Sequence, residues 1–306
     1  MSLKKKLITL NNGLTCPTIG LGTTEMKNDE VIYQSIKDGT RLIDTASSYQ
    51  NEVEVGKGIK RAIEDNLVKR EDLFVITKLG IDDKEDPEKA LKESLQKLQL
   101  DYVDLYLDHW PSSISYKEPN KFKLISIIDT WQKMEKLVDK KLTKSIGLSN
   151  YNVQSLLTVL SFCRIKPVAN EVEFHPYLYQ KGLKEFCDKE NIVILSYNPL
   201  VKGSYCQRNQ HIQTIKEKNL DLFNEKIVQE LAKKYNKTAG QIILNWHIHL
   251  GVVPIPGTFN PNRMKENLGA IDFNMDEEDI KKMSSFEDKQ YRFCDSLPLY
   301  GVDIFS

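Results

Sequence analysis

Short continuous apolar runs alternate along this chain with longer segments in which apolar residues recur three and four positions apart. The first pattern is that of strands buried on both faces, the second that of helices with one buried stripe. Residues 7–10 and those from Leu14, with Asn11-Asn12-Gly13 between them, read as a hairpin whose turn needs positive φ. Thr18 to Gly22 is a short strand closing in glycines. Further apolar runs end at Asp44, Lys78, Leu107, Leu148, Glu171, Tyr197 and Ile255. Helical stripes lie between them. They include Val55, Ile59, Ala62 and Ile63; then Leu91, Leu95 and Leu98 behind an Asp86-Pro87 start; then Trp131, Met134, Leu137 and Val138. Others follow around Val153–Leu160, Leu183–Lys189, the stretch up to His249, and after Pro261. Eight strands, each followed by a helix, predict an α/β fold, the (β/α)8 or TIM barrel. The expectation is a single domain over residues 1–306, with an N-terminal β-hairpin and a C-terminal tail over the barrel mouth from about Ser285.

Composition narrows the picture by exclusion. The 306 residues carry 43 Lys+Arg and 43 Asp+Glu. That balance leaves no electrostatic footprint for nucleic acid or an anionic membrane. The Lys4-Lys5-Lys6 run is a short solvated stretch. No apolar segment is long enough to span a bilayer, and no secretory leader precedes the first polar run. Five cysteines (Cys16, Cys163, Cys187, Cys206, Cys294) are scattered, with no CxxC. A disulfide framework or a zinc site is therefore not expected, no metal is, and a reducing cytoplasm is the expected compartment.

In such a barrel, function collects at the C-terminal ends of the strands. Asp44, Lys78 and His109 stand at successive strand ends, with Tyr49 on the loop after Asp44. Singly, each has a bland alternative: a turn aspartate, a snorkelling lysine, a core histidine, a packed tyrosine. Together they make a proton donor. A phenol near pKa ~10 is a poor acid–base group at neutral pH, and a lysine cation beside it lowers that pKa. An aspartate holds the cation in place, and His109 orients a substrate oxygen opposite the phenol. The set polarises a C=O and protonates it but supplies no electrons, so a hydride cofactor must lie alongside.

These residues sit in the motifs GTRLIDTASSYQNEVEVG (39–56), VITK (75–78), LYLDHWP (105–111), SIGLSN (145–150), NEVEFHPY (170–177), SYNPL (196–200) and IPGTFNPNRMKEN (255–267). With them, in order and nearly end to end, the chain resembles the aldo-keto reductases. The resemblance implies a monomer or weak dimer that binds NADP(H) across the barrel mouth, with Asp44, Tyr49, Lys78 and His109 as the catalytic set. It implies that Ser149 and Asn150 hold the nicotinamide carboxamide and that Tyr197 stacks under the ring. Leu200 and the loop after it would cover the pyrophosphate, and Thr258, Arg263, Glu266 and Asn267 would surround the adenosine phosphate and adenine. Thr23 and Thr24 belong to the same cofactor-lined mouth. Without the resemblance, Ser149-Asn150 reads as a helix cap and RMKEN as a solvated helix face.

The sequence departs from the family pattern at several places. Gly257 stands where many relatives have a lysine that meets the 2′-phosphate, while Arg263 remains, so NADP(H) is expected to be preferred by a smaller margin than in those relatives, with NAD(H) as a second cofactor. Glu171 replaces a glutamine. A carboxylate accepts from the carboxamide NH2 but donates to its carbonyl only when protonated, so cofactor binding is expected to weaken as pH rises. Thr24 and Gly80 replace pocket tryptophans while Trp110 remains, which implies a wider, less apolar substrate pocket. The variable walls are expected after Trp110, in the Val201–Leu222 loop and near Tyr291–Leu299. The expected substrate is a small carbonyl compound. A Schiff-base aldolase using Lys78 is disfavoured by Asp44, and a Rossmann site by Glu25 in place of a third glycine after Gly20-x-Gly22. A cofactor-binding redox sensor or channel-associated subunit with little turnover stays open at this point.

Overall fold

The computed structural model describes residues 7–111, 125–201 and 220–294. Strand β1 (Leu7–Thr9) pairs antiparallel with β2 (Thr15–Pro17), and Gly13 takes φ +85° at the turn, where a Cβ would be strained. The hairpin stoppers one end of the barrel. Asn11 Nδ2 donates to Pro167 O at 2.9 Å, and Asn12 Nδ2 to Ser145 Oγ at 3.0 Å, both just ahead of strands they abut. Leu10 and Cys16 join the apolar cluster inside the ring.

That ring is β3 (Leu21–Gly22), β4 (Leu42–Asp44), β5 (Phe74–Leu79), β6 (Leu105–Asp108), β7 (Ile146–Ser149), β8 (Ala169–Glu173), β9 (Val193–Tyr197) and β10 (Val253–Pro254). Among the described residues these eight strands are neighbours in chain order, every pair parallel. The ring closes where Gly20 N donates to Pro254 O at 3.0 Å and Gly22 N to Pro256 O at 3.2 Å. Space is tight at this seam: a Cβ on Gly20 would lie 2.2 Å from Leu42 Cδ2, so that side chain would have to shift.

Helices α1 (Asp29–Lys37), α2 (Glu52–Glu64), α3 (Pro87–Leu98), α4 (Ile127–Asp139), α5 (Val153–Leu160), α6 (Lys181–Lys189), α7 (Lys226–Tyr235), α8 (Ala239–His249), α9 (Pro261–Leu268) and α10 (Glu277–Met283) cover the outside. Asp86 caps α3, with Pro87 in its first turn, as the sequence reading expects. Helix α10 is an addition to that reading. Its seven residues are too few for periodicity to stand out. Strand β8 runs two residues past the expected Glu171, so Glu171 lies inside a strand rather than at its end.

Most of the expected pocket walls (residues 112–124 and 202–219), Cys206 and the tail from residue 295 lie outside the described residues. The chain ahead of that tail crosses the C-terminal end of β8. Tyr291 N donates to Tyr177 O at 2.7 Å, and the Phe293 and Cys294 amides donate to Glu173 Oε2 at 3.0 and 2.8 Å. No helix among the described residues is long and apolar enough to cross a membrane.

Candidate active site

Strand β4 ends on Asp44, and the chain then makes a tight turn, Ser47–Tyr49, stopped by Gln50 at φ +54°. Asn51, fully buried, fastens this turn. Its Nδ2 donates to Thr23 O at 2.6 Å and Met26 O at 3.1 Å, and its Oδ1 accepts from Thr45 Oγ1 at 3.0 Å. Asn51 thereby ties the loop after β3 to the loop after β4 and holds Tyr49 over the strand ends. The sequence alone gives Asn51 no such role; it stands directly before α2 and makes no side-chain cap bond there.

Lys78, one residue before the end of β5, is wholly buried. Its Nζ donates to both Asp44 oxygens at 2.7 Å, to Thr45 O at 3.1 Å and to Tyr49 Oη at 3.2 Å. Glu171 Oε1 lies 3.3 Å from the same nitrogen. Burial works against the Lys78 cation, yet Asp44 and Glu171 outweigh it and raise the pKa. An amine held this firmly charged is a poor nucleophile, which removes the Schiff-base alternative.

One ammonium thus serves two carboxyls. Burial pushes both up; Asp44 is grasped on both oxygens, while Glu171, farther from Nζ and repelled by Asp44, is pushed up to about 8. Glu171 Oε2 is buried and meets no hydrogen-bond donor among the described residues, while the Asp44 carboxyl lies close enough to share a proton with Glu171. At neutral pH Glu171 is therefore mostly a neutral acid with a proton to donate.

The Tyr49 phenol corrects an expectation. Lys78 does pull its pKa down, and a hydrogen bond with Thr24 helps. Burial and the charges of Asp44 and Glu171 outweigh them, and the phenol is pushed up to about 12. Tyr49 is thus held as a protonated phenol at neutral pH.

His109 faces Tyr49 edge-on, ring centroids 5.9 Å apart, and stacks on Trp110 at 6.2 Å. Its Nδ1 lies 3.4 Å from Ser48 Oγ. Burial, then Lys78 and Lys84, push its pKa well below the ordinary value, so the ring is neutral. Thr24, Gly80 and Trp110 border this group. A Cβ on Gly80 would lie 2.6 Å from Asp83 Oδ2, so the tryptophan of relatives has no room there without displacing that carboxylate.

The residues expected to meet a carboxamide lie on the next strands. Asn150 sits in the left-handed region at φ +64°, which asparagine tolerates. Its Nδ2 donates to His109 O at 3.0 Å, and its Oδ1 accepts from Tyr197 Oη at 2.8 Å. Ser149 Oγ donates to Glu171 O at 2.9 Å. Neither residue caps the helix that follows: Asn152 does, accepting from Ser155 N at 2.9 Å. The helix-cap alternative for Ser149 and Asn150 is therefore withdrawn.

Farther out, Thr23 is buried and donates to Asp44 O at 2.9 Å. Leu200 is partly buried against the core. Thr258 opens the turn before α9, its Oγ1 accepting from Asn260 N at 3.2 Å. Glu266 Oε1 accepts from Thr238 Oγ1 at 2.6 Å, and Asn267 is buried behind it. Arg263 is exposed and has no ion-pair partner among the described residues. That guanidinium and the unpartnered Glu171 oxygen fit a dinucleotide phosphate and a carboxamide respectively. Gly257 lies against the β3 seam: a Cβ there would sit 3.1 Å from Gly22 O.

Sequence comparison adds an independent line. The sequence model of the Aldo/keto reductase family matches residues 18–288. A probable NAD(P)H-dependent D-xylose reductase of Aspergillus niger is 37% identical, the match covering 96% of this chain and 97% of that protein. An NADH-dependent D-xylose reductase of Candida parapsilosis is 36% identical, over 97% of both chains. Aldose reductase C of Dictyostelium discoideum is 35% identical, over 97% of this chain and 94% of that one.

Proposed function

Because this chain belongs to the aldo/keto reductase family, we infer that its carbonyl chemistry runs through Asp44, Tyr49, Lys78 and His109. The protein is an NAD(P)H-dependent oxidoreductase that interconverts aldehydes or ketones and alcohols. The observation that carries the residue assignment is the bonding of Lys78 Nζ, 2.7 Å from Asp44 and 3.2 Å from Tyr49 Oη.

In the reductive direction, bound NAD(P)H supplies the hydride to the carbonyl carbon. Tyr49, neutral below about pH 12, gives its proton to the carbonyl oxygen. Lys78, kept charged by Asp44, faces the phenolate that this leaves. Neutral His109, with Ser48 against Nδ1, has Nε2 left to hydrogen-bond the substrate oxygen. Alcohol oxidation starts from the phenolate and is favoured as pH rises.

Ser149, Asn150 and Tyr197 would hold the nicotinamide, and Glu171 would take the place of an amide by donating from its protonated carboxyl. Thr23, Thr24 and Leu200 border the cofactor; Thr258, Arg263, Glu266 and Asn267 hold its adenosine end. Arg263 without a lysine at 257 leaves a small preference for NADP(H) over NAD(H). Relatives named as NAD(P)H- and NADH-dependent accord with both. The substrate class is a small aldehyde, with open-chain aldoses such as D-xylose, named for several relatives, the first to test. We further place the protein in the cytoplasm as a monomer or weak dimer.

The test is oxidation of NADPH and of NADH, followed at fixed enzyme with D-xylose and with an aromatic aldehyde. Turnover with NADPH at a higher kcat/KM than with NADH is expected. Tight cofactor binding with negligible turnover would return the protein to a redox-sensing role.

A further inference from the structure

A second buried charge cluster lies behind the active site, and the chemistry described so far does not use it. Asp108 is the last residue of β6, directly before His109. Leu105 and Leu107 belong to the cluster inside the ring and Tyr106 to the layer outside it, so strand alternation turns Asp108 outward under the neighbouring loops. There Lys84, from the loop after β5, donates to Asp108 Oδ2 at 2.7 Å and to Trp110 O at 2.6 Å. Tyr151, just after β7, donates to the same Asp108 oxygen at 2.7 Å. Lys84, Asp108 and Tyr151 are each only 1% exposed.

The cluster joins the loops that follow three successive strands, and it does so beneath the residues that face the substrate oxygen. Two consecutive carbonyls are gripped from different sides: His109 O by Asn150 Nδ2 and Trp110 O by Lys84 Nζ. A buried ion pair of this kind adds little stability, since apolar residues of equal volume often do as well. What it does supply is a fixed, directional donor under one peptide group.

We propose that Lys84 is a positioning residue for carbonyl reduction: anchored by Asp108 and Tyr151, its ammonium fixes the Trp110 carbonyl, and so the His109–Trp110 turn, opposite Tyr49. The proposal rests on the reductase reading. The same cation also bears on His109 electrostatically, beside Lys78; Tyr49 faces the ring, and Asp108, bonded by Tyr151, directly precedes it in the chain. Misplacing a substrate-orienting group by about 1 Å can cost ~100-fold in rate.

The test compares the wild-type protein with Lys84→Met and with Lys84→Met/Asp108→Leu/Tyr151→Phe, which removes the cluster and leaves no bare anion. Circular dichroism reports the fold, fluorescence the Kd of NADPH, steady-state kinetics the aldehyde reaction, and NMR the titration of the His109 ring. In the triple variant we expect a native fold, NADPH affinity within about twofold, and kcat/KM for the aldehyde lower by about tenfold or more. His109 titrates at higher pH in both variants, most in Lys84→Met, where Asp108 stays. Unchanged kinetics and an unchanged His109 titration would overturn the proposal. So would failure of the triple variant to fold, or equal loss of NADPH binding, since either assigns the cluster to the scaffold. Should the wild-type protein reduce no carbonyl, the reductase reading itself fails, and the His109 titration still reports on the Lys84 contact.

Discussion

Tyr49 meets one cation and two carboxyls, and the balance of those charges sets what it does. With burial and two acids pushing its pKa up to about 12, it keeps its proton at neutral pH and gives it up only to the more basic alkoxide oxygen that hydride addition creates. Tyr49→Phe should lower kcat for aldehyde reduction by about 100-fold to 10,000-fold while NADPH Kd stays within about twofold. Equal losses in both would make Tyr49 structural. In the wild type, the rate of alcohol oxidation should climb through the alkaline range, because the phenolate is the base; a pH–rate profile in both directions checks this. Glu171 is the other residue whose protonation matters. Its proton is held up to about pH 8, so NADPH affinity should fall as pH rises through that value. Its folded pKa lies above its unfolded one, so its stability contribution is present at acid pH and lost between the ordinary carboxyl range and about 8. Glu171→Gln should therefore bind NADPH with a pH-independent Kd and raise the melting temperature at pH 9 but not at pH 5.

At the scale of elements, helix α2 is placed by its glycines. A Cβ on Gly56 would lie 2.5 Å from Leu98 O at the end of α3, and one on Gly58 would lie 2.6 Å from Ile32 Cβ in α1. The first clash is with backbone, which cannot swing away. Gly56→Ala should cost about 1–3 kcal/mol, read as a lower urea midpoint with an unchanged slope. Because Asn51 and Tyr49 stand at the start of α2, a displaced helix should lower kcat as well. Helix boundaries with local chemistry, such as Asp86-Pro87, were legible from sequence. The cap of α5 was not: Ser149, Asn150 and Asn152 are all suitable cap residues, and only the strand end decides which one is free to serve.

At the scale of the whole molecule, one buried acid joins Phe293 and Cys294 to the barrel. Glu173 accepts the Phe293 and Cys294 amides on Oε2 and Asn198 Nδ2 on Oε1, with His175 Nε2 at 3.3 Å. Burial alone would raise its pKa, but His175, the Cys294 amide and Asn198 lower it overall. A depressed folded pKa gives stability that is present above the unfolded carboxyl value of about 4.3 and lost as pH falls through the folded one. The protection of the Phe293 and Cys294 amides relative to their intrinsic exchange rates should therefore fall on acidification, and should fall about tenfold in Glu173→Gln at neutral pH, corresponding to about 1.4 kcal/mol. Unchanged protection in that variant would mean that Glu173 does not hold these two amides.

The barrel was legible because its signal is local and repeated: each apolar run is buried on both faces, and each helix shows its stripe. The four site residues were legible because parallel strands put every strand end on one rim, so sequence order alone places Asp44, Lys78 and His109 side by side. What the chain in one dimension cannot carry is the sum of charges across strands. Glu171 is 93 residues beyond Lys78 in the numbering, yet it shares that ammonium with Asp44 at 3.3 Å. Only folding makes it a neutral acid and Tyr49 a tightly held proton donor. Lys84 and Asp108 likewise read as polar residues in a loop and at a strand end until three loops close over them. Pattern determined the architecture and the rim; burial and through-space charge, which exist only once the ring is shut, decided the protonation states on which the chemistry depends.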